Sequence, residues 1–244
     1  MRTWITPCGI DIRWHASVGS TNDEARTWAD HGASHGAVVC ADQQTAGRGR
    51  RGAVWFSPAG ESLAFSLVLR PTMARALWPR LALVAGLAVA KTLESRGIAA
   101  EVKWPNDVWV AGKKIAGVLV ESFGDAVIVG VGLNVNSVDF PQEIYAIATS
   151  MRRETGLEFD REELLVALAR SIMNHAMRIE ADFADILRDL RERCALSGKR
   201  VSLTLGNELV MAQVKGISDQ GELLIERNGR IEALWQADQI RVVE

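Results

Sequence analysis

The sequence predicts an α+β fold, with a mixed or antiparallel sheet flanked by helices and a small C-terminal β-barrel. Short apolar stretches between residues 101 and 131 are separated by turn-length gaps rather than by helices, which suits hairpins and not a βαβ array. A long helical stretch rich in small residues, 75–96, precedes them. After Ser197-Gly198 the texture changes to short strands split by Gly206-Asn207, Asp219-Gln220-Gly221 and Asn228-Gly229. That spacing predicts about five strands and divides the chain into a main domain, 1–196, and a C-terminal domain, 197–244.

Taken in order, residues 21–31 suit a short helix, with Thr21 and Glu24 forming a capping box and Gly32 the stop. Residues 37–41 read as a buried strand. Residues 44–54 are polar, rich in Gly and Arg, follow neither period, and read as a loop. The stretch 62–70 alternates, placing Leu63, Phe65, Leu67 and Leu69 on one core-facing side. The helix over 75–96 stops at Gly97. A strand over 101–104 ends where Pro105 drives Trp104 out of the α region. Strands 108–110, 115–122 and 126–131 follow, turning at Ala111-Gly112 and Gly124-Asp125. Helices over 161–180 and 181–194 complete the main domain.

The chain has 244 residues, 48% hydrophobic and 24% charged, which excludes disordered and low-complexity classes. A net charge of −2 speaks against a general nucleic-acid or membrane-surface protein. Three distant cysteines form no C-x-x-C pair, so neither a disulfide framework nor a zinc ribbon is expected, and a reducing compartment fits. The N-terminus lacks an apolar signal core, and the longest clean apolar run, 81–90, is too short to span a bilayer. The expectation is a soluble, cytoplasmic protein.

Three stretches carry chemistry. Gly47-Arg48-Gly49-Arg50-Arg51-Gly52 matches a dinucleotide fingerprint only formally, because Ala53–Pro58 opens no helix and no acid follows near position 72. It does offer arginine forks for phosphate or carboxylate on a glycine frame. A solvated basic loop is the plainer alternative. Lys103-Trp104-Pro105-Asn106-Asp107 ends a strand and delivers an amide and a carboxylate side by side. That pair suits Mg²⁺ or a ribose, or else a self-capped turn. In Lys113-Lys114-Ile115-Ala116-Gly117 one lysine can point inward as a charge for an anion, whereas two exposed hairpin lysines would be structural. No histidine stands where it would activate Ser20, N-capping accounts for Thr21, and His31 and His35 are broken from a metal-binding helix by Gly32 and Gly36. Trp55 stands out as a stacking residue.

Together with Ser20-Thr21-Asn22, Gln44-Thr45-Ala46, Lys114-x-Ala116-Gly117 and Gly130-x-Gly132-x-Asn134, these stretches resemble the biotin protein ligase family, in order from about residue 12 to 137. The resemblance implies a class II synthetase-like catalytic domain with an SH3-like C-terminal barrel. It implies that biotin and MgATP give biotinyl-5′-AMP, and that a lysine of a biotin carboxyl carrier protein domain, part of a biotin-dependent carboxylase, then takes the biotinyl group. Carried over by position, Ser20, Thr21 and Gln44 would hydrogen-bond the biotin rings, with Asn22, Gly47 and Gly49 beside them. Gly117, Leu119, Gly130 and Leu133 would wall the pocket. Arg48, Arg50 and Lys114 would act on the biotin carboxylate and α-phosphate as the catalytic groups. Lys103 would meet phosphates, Asn106 and Asn134 the nucleotide, Trp55 the adenine, and Asp107 the Mg²⁺. The arginine loop is expected to order over ligand and to shield the adenylate from water.

The sequence departs from the family at Ala53, where another basic residue is frequent, which puts the closed loop's phosphate contacts in doubt. Ser62 stands for a frequent Asn, with little effect expected. Nineteen residues precede Ser20, too few for the winged helix of the DNA-binding relatives, so no DNA binding is expected. No membrane partner is expected, and a homodimer is left open. A lipoate or octanoate ligase of similar fold is the nearest alternative, against which the arginine-rich loop, Ser20 and Gln44 favour a ureido ring. A single-strand nucleic-acid module would need a basic groove, which the slightly acidic residues 197–244 do not offer.

Overall fold

The computed structural model describes residues 1–243. In chain order the main sheet and its first helices are β1 (Arg2–Ile5), β2 (Asp11–Val18), α1 (Thr21–Asp30), β3 (Val38–Gln44), β4 (Ser62–Leu69), α2 (Arg80–Glu94), β5 (Glu101–Lys103), β6 (Asp107–Val110), β7 (Lys113–Phe123) and β8 (Ala126–Asn134). Four helices follow: α3 (Gln142–Tyr145), α4 (Met151–Thr155), α5 (Arg161–Met177) and α6 (Phe183–Glu192). The C-terminal strands are β9 (Arg200–Leu205), β10 (Glu208–Ile217), β11 (Leu223–Arg227), β12 (Arg230–Leu234) and β13 (Asp238–Val242).

Eight strands lie in the order β1-β2-β3-β4-β8-β7-β6-β5, with only the β2–β3 pair parallel. The mixed sheet is as expected, but β1 and β2 are not foreshadowed by any apolar run. Ile12 and Trp14 of β2 alternate into the core, Trp4 stacks 6.3 Å from Trp14, and the Arg2 guanidinium sits 5.2 Å from each ring.

One face of the sheet packs on α2 and α5 in a large core that holds Leu63, Phe65, Leu67 and Leu69 of β4, as the alternation predicts, and α6 joins it through α2 and β10. All eight residues of β4 are nonetheless buried. Helix α1 covers part of the opposite face, where Ala25, Trp28 and Ala29 pack on Val39, Val68 and Ile128. Where α1 ends its cover, that second face is bare and carries glycines, and the cavity described below lies there.

Two expected helix starts are corrected. Pro79, with no N–H to give, is the N-cap of α2, so the helix begins at Arg80 and residues 75–77 form a separate 3₁₀ turn. Its end is as expected: Gly97 takes φ +79°, and the Ile98 N–H reaches Leu93 O at 3.1 Å, closing a Schellman turn. At α1 the N-cap is Ser20, in extended backbone, and its own side chain makes no capping bond. Thr21 is already helical, so the Thr21–Glu24 capping box does not form, which leaves the Thr21 hydroxyl for another use.

The hairpin β6–β7 sets the site. Ala111 and Gly112 both have positive φ, +49° and +78°, as a two-residue type I′ turn demands. Beyond it the register slips: Trp109 pairs with Lys114 but Val108 pairs with Ala116. Ile115 is the extra residue of a bulge, and both it and Ala116 join the core. Lys114 and Gly117, three apart and otherwise on opposite faces, therefore share the open face.

The five C-terminal strands form one antiparallel sheet, β12-β11-β10-β9-β13. It docks through the 218–221 turn. The Trp104 indole N–H donates to Gly221 O at 3.1 Å, Arg80 reaches Gln220 Oε1 at 2.5 Å, and Arg191 pairs with Asp219 at 2.6 Å. Trp104 is buried, so Trp104→Phe strands the Gly221 carbonyl and leaves a gap beside it. The expected cost is about 1–3 kcal/mol of stability. It should lower the urea midpoint with an unchanged m-value. A midpoint equal to wild type would show that the contact contributes nothing. No helix among the described residues is long and apolar enough to cross a membrane.

Candidate active site

A cavity of about 1410 Å³ opens between the bare face of the main sheet, the arginine loop and β13. A single drug-sized ligand occupies roughly 300–1,000 Å³, so this one has room for two small molecules side by side. Its floor is glycine. A Cβ on Gly132 would lie 2.2 Å from the Trp55 ring, and one on Gly117 would lie 3.0 Å from Lys114 Cε and 3.3 Å from the same indole. The indole thus lies flat on two backbones that only glycine leaves bare, with Lys114 Nζ 5.5 Å from its ring centre.

One end of the cavity is built of neutral polar groups. Gln44, the last residue of β3, accepts from the Thr21 N–H at 2.9 Å and lies 3.1 Å from the Thr21 hydroxyl. Ser66 of β4, fully buried, lies 2.8 Å from Thr21 Oγ1 and 2.6 Å from Asn22 Oδ1. The Asn22 amide donates to Glu121 Oε2 at 2.6 Å. Ser20, Leu119 and Gly130 line the same end.

The other end is cationic. Residues 47–55 fold back as a small hairpin, with Trp55 N–H on Gly47 O at 3.0 Å and Gly49 N–H on Ala53 O at 2.6 Å. Ala53, where a base is frequent, thus serves the loop through its backbone. Arg48 forks onto Asp23 with two 2.7 Å bonds, which raise the arginine's affinity for its proton and hold the carboxyl below its usual range. Arg50 donates to Asn106 Oδ1 at 3.3 Å, and Arg51 pairs with Asp238 of β13. Asn106 also donates to Val118 O at 2.9 Å, so its amide is committed to holding the turn and Arg50. Lys114 Nζ pairs with Asp107 at 2.7 Å. Lys103 is largely enclosed, and burial holds it below the ordinary lysine range, with Lys114 and Arg241 adding to that and Asp107 opposing it.

The structure therefore gathers Ser20, Thr21, Asn22, Gln44, Arg48, Gly49, Arg50, Trp55, Lys103, Asn106, Asp107, Lys114, Gly117, Leu119 and Gly130 around one cavity. Three expected residues lie outside its lining. Gly47 sits behind the loop, where a Cβ would meet Trp55 O at 2.9 Å. Leu133, fully buried, is an odd step along β8 from Gly130 and Gly132 and faces the core instead. Asn134 is buried and spends its amide on Thr149 O at 2.9 Å. Sequence reasoning missed Ser66 and Glu121, which no motif marks, and Lys199 and Arg241, which reach the cavity only because the C-terminal sheet docks there. His31 and His35 are structural, bonded to Thr27 O and to the Arg70 N–H.

No group of three or more His, Cys, Asp or Glu that could cage a metal exists among the described residues. Asp107 is the one carboxylate that the Lys103–Asp107 turn brings to the cavity. One carboxylate beside bound phosphates is what Mg²⁺ commonly uses, so the donor set fits an ion that arrives with a nucleotide.

The family model of the biotin/lipoate A/B protein ligase family matches residues 15–136, and that of the biotin protein ligase C-terminal domain matches residues 196–236. The bifunctional ligase/repressor BirA of Bacillus subtilis is 36% identical over 246 residues, covering 94% of this chain and 74% of that protein. The biotin–[acetyl-CoA-carboxylase] ligase of Paracoccus denitrificans is 37% identical over 225 residues, covering 86% and 92%. The solved biotin protein ligase of Aquifex aeolicus in complex with biotin and ATP has a TM-score of 0.86 at 34% identity, over 95% of this chain and 99% of that one. With the fold, both family matches and these identities in agreement, the chain belongs to the biotin/lipoate A/B protein ligase family, on its biotin protein ligase side.

Proposed function

We infer that the protein is an ATP-dependent ligase that adenylates biotin and transfers the biotinyl group to a lysine of a carboxyl carrier protein domain. The observation that carries this reading is the single cavity with a neutral hydrogen-bonding end and a cationic end. The first suits a ureido ring, the second a carboxylate and a triphosphate. In the first step a biotin carboxylate oxygen attacks the α-phosphorus, the bond to the bridging oxygen breaks, and pyrophosphate leaves. In the second the carrier amine attacks the acyl carbon, loses a proton, and AMP departs.

No side-chain nucleophile is needed. What the chain supplies is alignment, worth up to roughly 7–11 kcal/mol for well-placed reactants, and neutralisation of two approaching anions. Ser20, Thr21 and Gln44 hold the ring, and Gly117, Leu119 and Gly130 leave room for it. Lys114 bridges carboxylate and α-phosphate, Arg48 and Arg50 close over them, and Lys103 meets the outer phosphates. Trp55 offers its ring to the base. Asp107 would hold Mg²⁺, which would supply charge neutralisation for the leaving pyrophosphate. Asn106 acts through Arg50 rather than on the nucleotide. The division at 196/197 assigns Lys199 and Arg241 to a C-terminal domain that completes the phosphate end.

Mass-spectrometric detection of acyl-adenylate, with MgATP and biotin or lipoate in parallel, tests the reading. Biotinyl-AMP alone is the expected result. Lipoyl-AMP alone would move the substrate to the other acid of the family.

A further inference from the structure

Trp109 of β6 has no part in the chemistry above, yet it stands between the two lysines of the cationic end. Strand β6 alternates, with Val108 and Val110 in the core and Asp107 and Trp109 turned to the cavity side. On β5, Glu101 is opposite Trp109 and Lys103 is opposite Asp107, so Lys103 lies diagonal to the indole on the same face. On β7, Lys114 is opposite Trp109. The two lysines then part. Lys114 Nζ goes to Asp107 at 2.7 Å, whereas Lys103 Nζ lies over the Trp109 ring, 4.4 Å from its centre. Lys103 makes no ion pair or hydrogen bond among the described residues, and burial disfavours its charge. The ring face is therefore the group that meets this ammonium. The indole N–H has no partner either, so no hydrogen bond accounts for a tryptophan here rather than another large side chain.

We propose that Trp109 is a positioning residue that holds the Lys103 ammonium, through its ring face, at the phosphate end of the cavity. The proposal rests on the ligase reading, in which Lys103 meets the outer phosphates, and it names the group that aims that lysine. An ammonium on a flexible four-carbon stem is otherwise free to swing. The negative face of an indole attracts a cation most strongly where water is excluded, and it does so without neutralising it. The full positive charge stays available to a nucleotide. A carboxylate in the same place would hold the lysine equally well but would repel the triphosphate.

The test is single-turnover formation of acyl-adenylate by the full chain at saturating biotin, with MgATP varied. Trp109→Leu is expected to raise the half-saturating MgATP roughly tenfold, with the limiting rate within about threefold of wild type. Trp109→Phe, which keeps a ring face, should stay within about threefold in both. In a Lys103→Met background, Trp109→Leu should add less than about twofold, because the cation it serves is gone. Mono-, di- and trifluorinated tryptophan at position 109 keep nearly the same shape while fluorine draws charge off the ring face. Half-saturation should rise stepwise across that series, a trend that packing alone does not produce, and the series reads out even if the leucine variant does not fold. A flat fluorine series, or an effect of Trp109→Leu that persists undiminished without Lys103, overturns the proposal. Lys103→Met with wild-type half-saturation would instead overturn the assignment of Lys103 to the phosphates, and no acyl-adenylate from wild type would overturn the ligase reading itself.

Discussion

Lys114→Ala should slow acyl-adenylate formation by about a thousandfold while leaving the chain folded. The half-exposed side chain contributes little to the core, so melting should shift by no more than a few degrees. The loss at the site is larger. Two unit charges about 4 Å apart interact by about 4 kcal/mol at the effective dielectric near a protein surface, and each 1.36 kcal/mol is tenfold in rate. The substitution also leaves Asp107 without its partner 2.7 Å away, so an unpaired carboxylate then faces an acid and a triphosphate. Both effects have the same sign. Single-turnover formation of the adenylate at saturating biotin and MgATP measures this without interference from product release. A rate within tenfold of wild type would remove Lys114 from the reaction.

Gly130→Ala should weaken biotin binding by roughly a hundredfold and spare ATP. The new Cβ would lie 2.2 Å from Asn22 Oδ1 and 2.9 Å from its Cγ. Overpacking of this kind costs about 1–3 kcal/mol when neighbours can shift. Here Asn22 is held on both sides by 2.6 Å hydrogen bonds to Ser66 and Glu121, so relief comes only by breaking one of them. Titration with biotin and with ATP separates the two halves of the cavity. Equal losses for both ligands would mean that the sheet itself had distorted.

Much of this site was readable from residues alone, because glycines, the proline turn and clustered arginines constrain the backbone wherever they occur. The apolar alternation of β4 likewise identified its core face correctly. What escaped was what only a fold can bring together. Ser66 looked like a filler in an apolar strand, yet it lies beneath α1 and orients two pocket side chains. Strands β1 and β2 escaped because only Ile12 and Trp14 of β2 alternate into the core, too short a pattern to stand out, and β1 adds arginine and tryptophan stacking. Leu133 enters the expected wall through the family resemblance, yet it lies one step along the strand from Gly132, and one step reverses the face. The capping box failed for a related reason: Thr21 had a stronger claim on its hydroxyl from Gln44 and Ser66 than from its own helix.

The extra residue at Ile115 has a consequence for how this hairpin can vary. Because strand faces alternate, the count of residues between the carboxylate at 107 and the glycine at 117 acts as a parity, odd or even, and not as a distance. A one-residue insertion beside the bulge would turn Lys114 from the cavity toward the apolar core, whereas loss of Ile115, which removes the bulge with it, would leave Lys114 and Gly117 two apart and still on one face. Spacing and bulge are therefore read together at this corner. The frame of the hairpin, as much as the lysine itself, sets which face presents the charge.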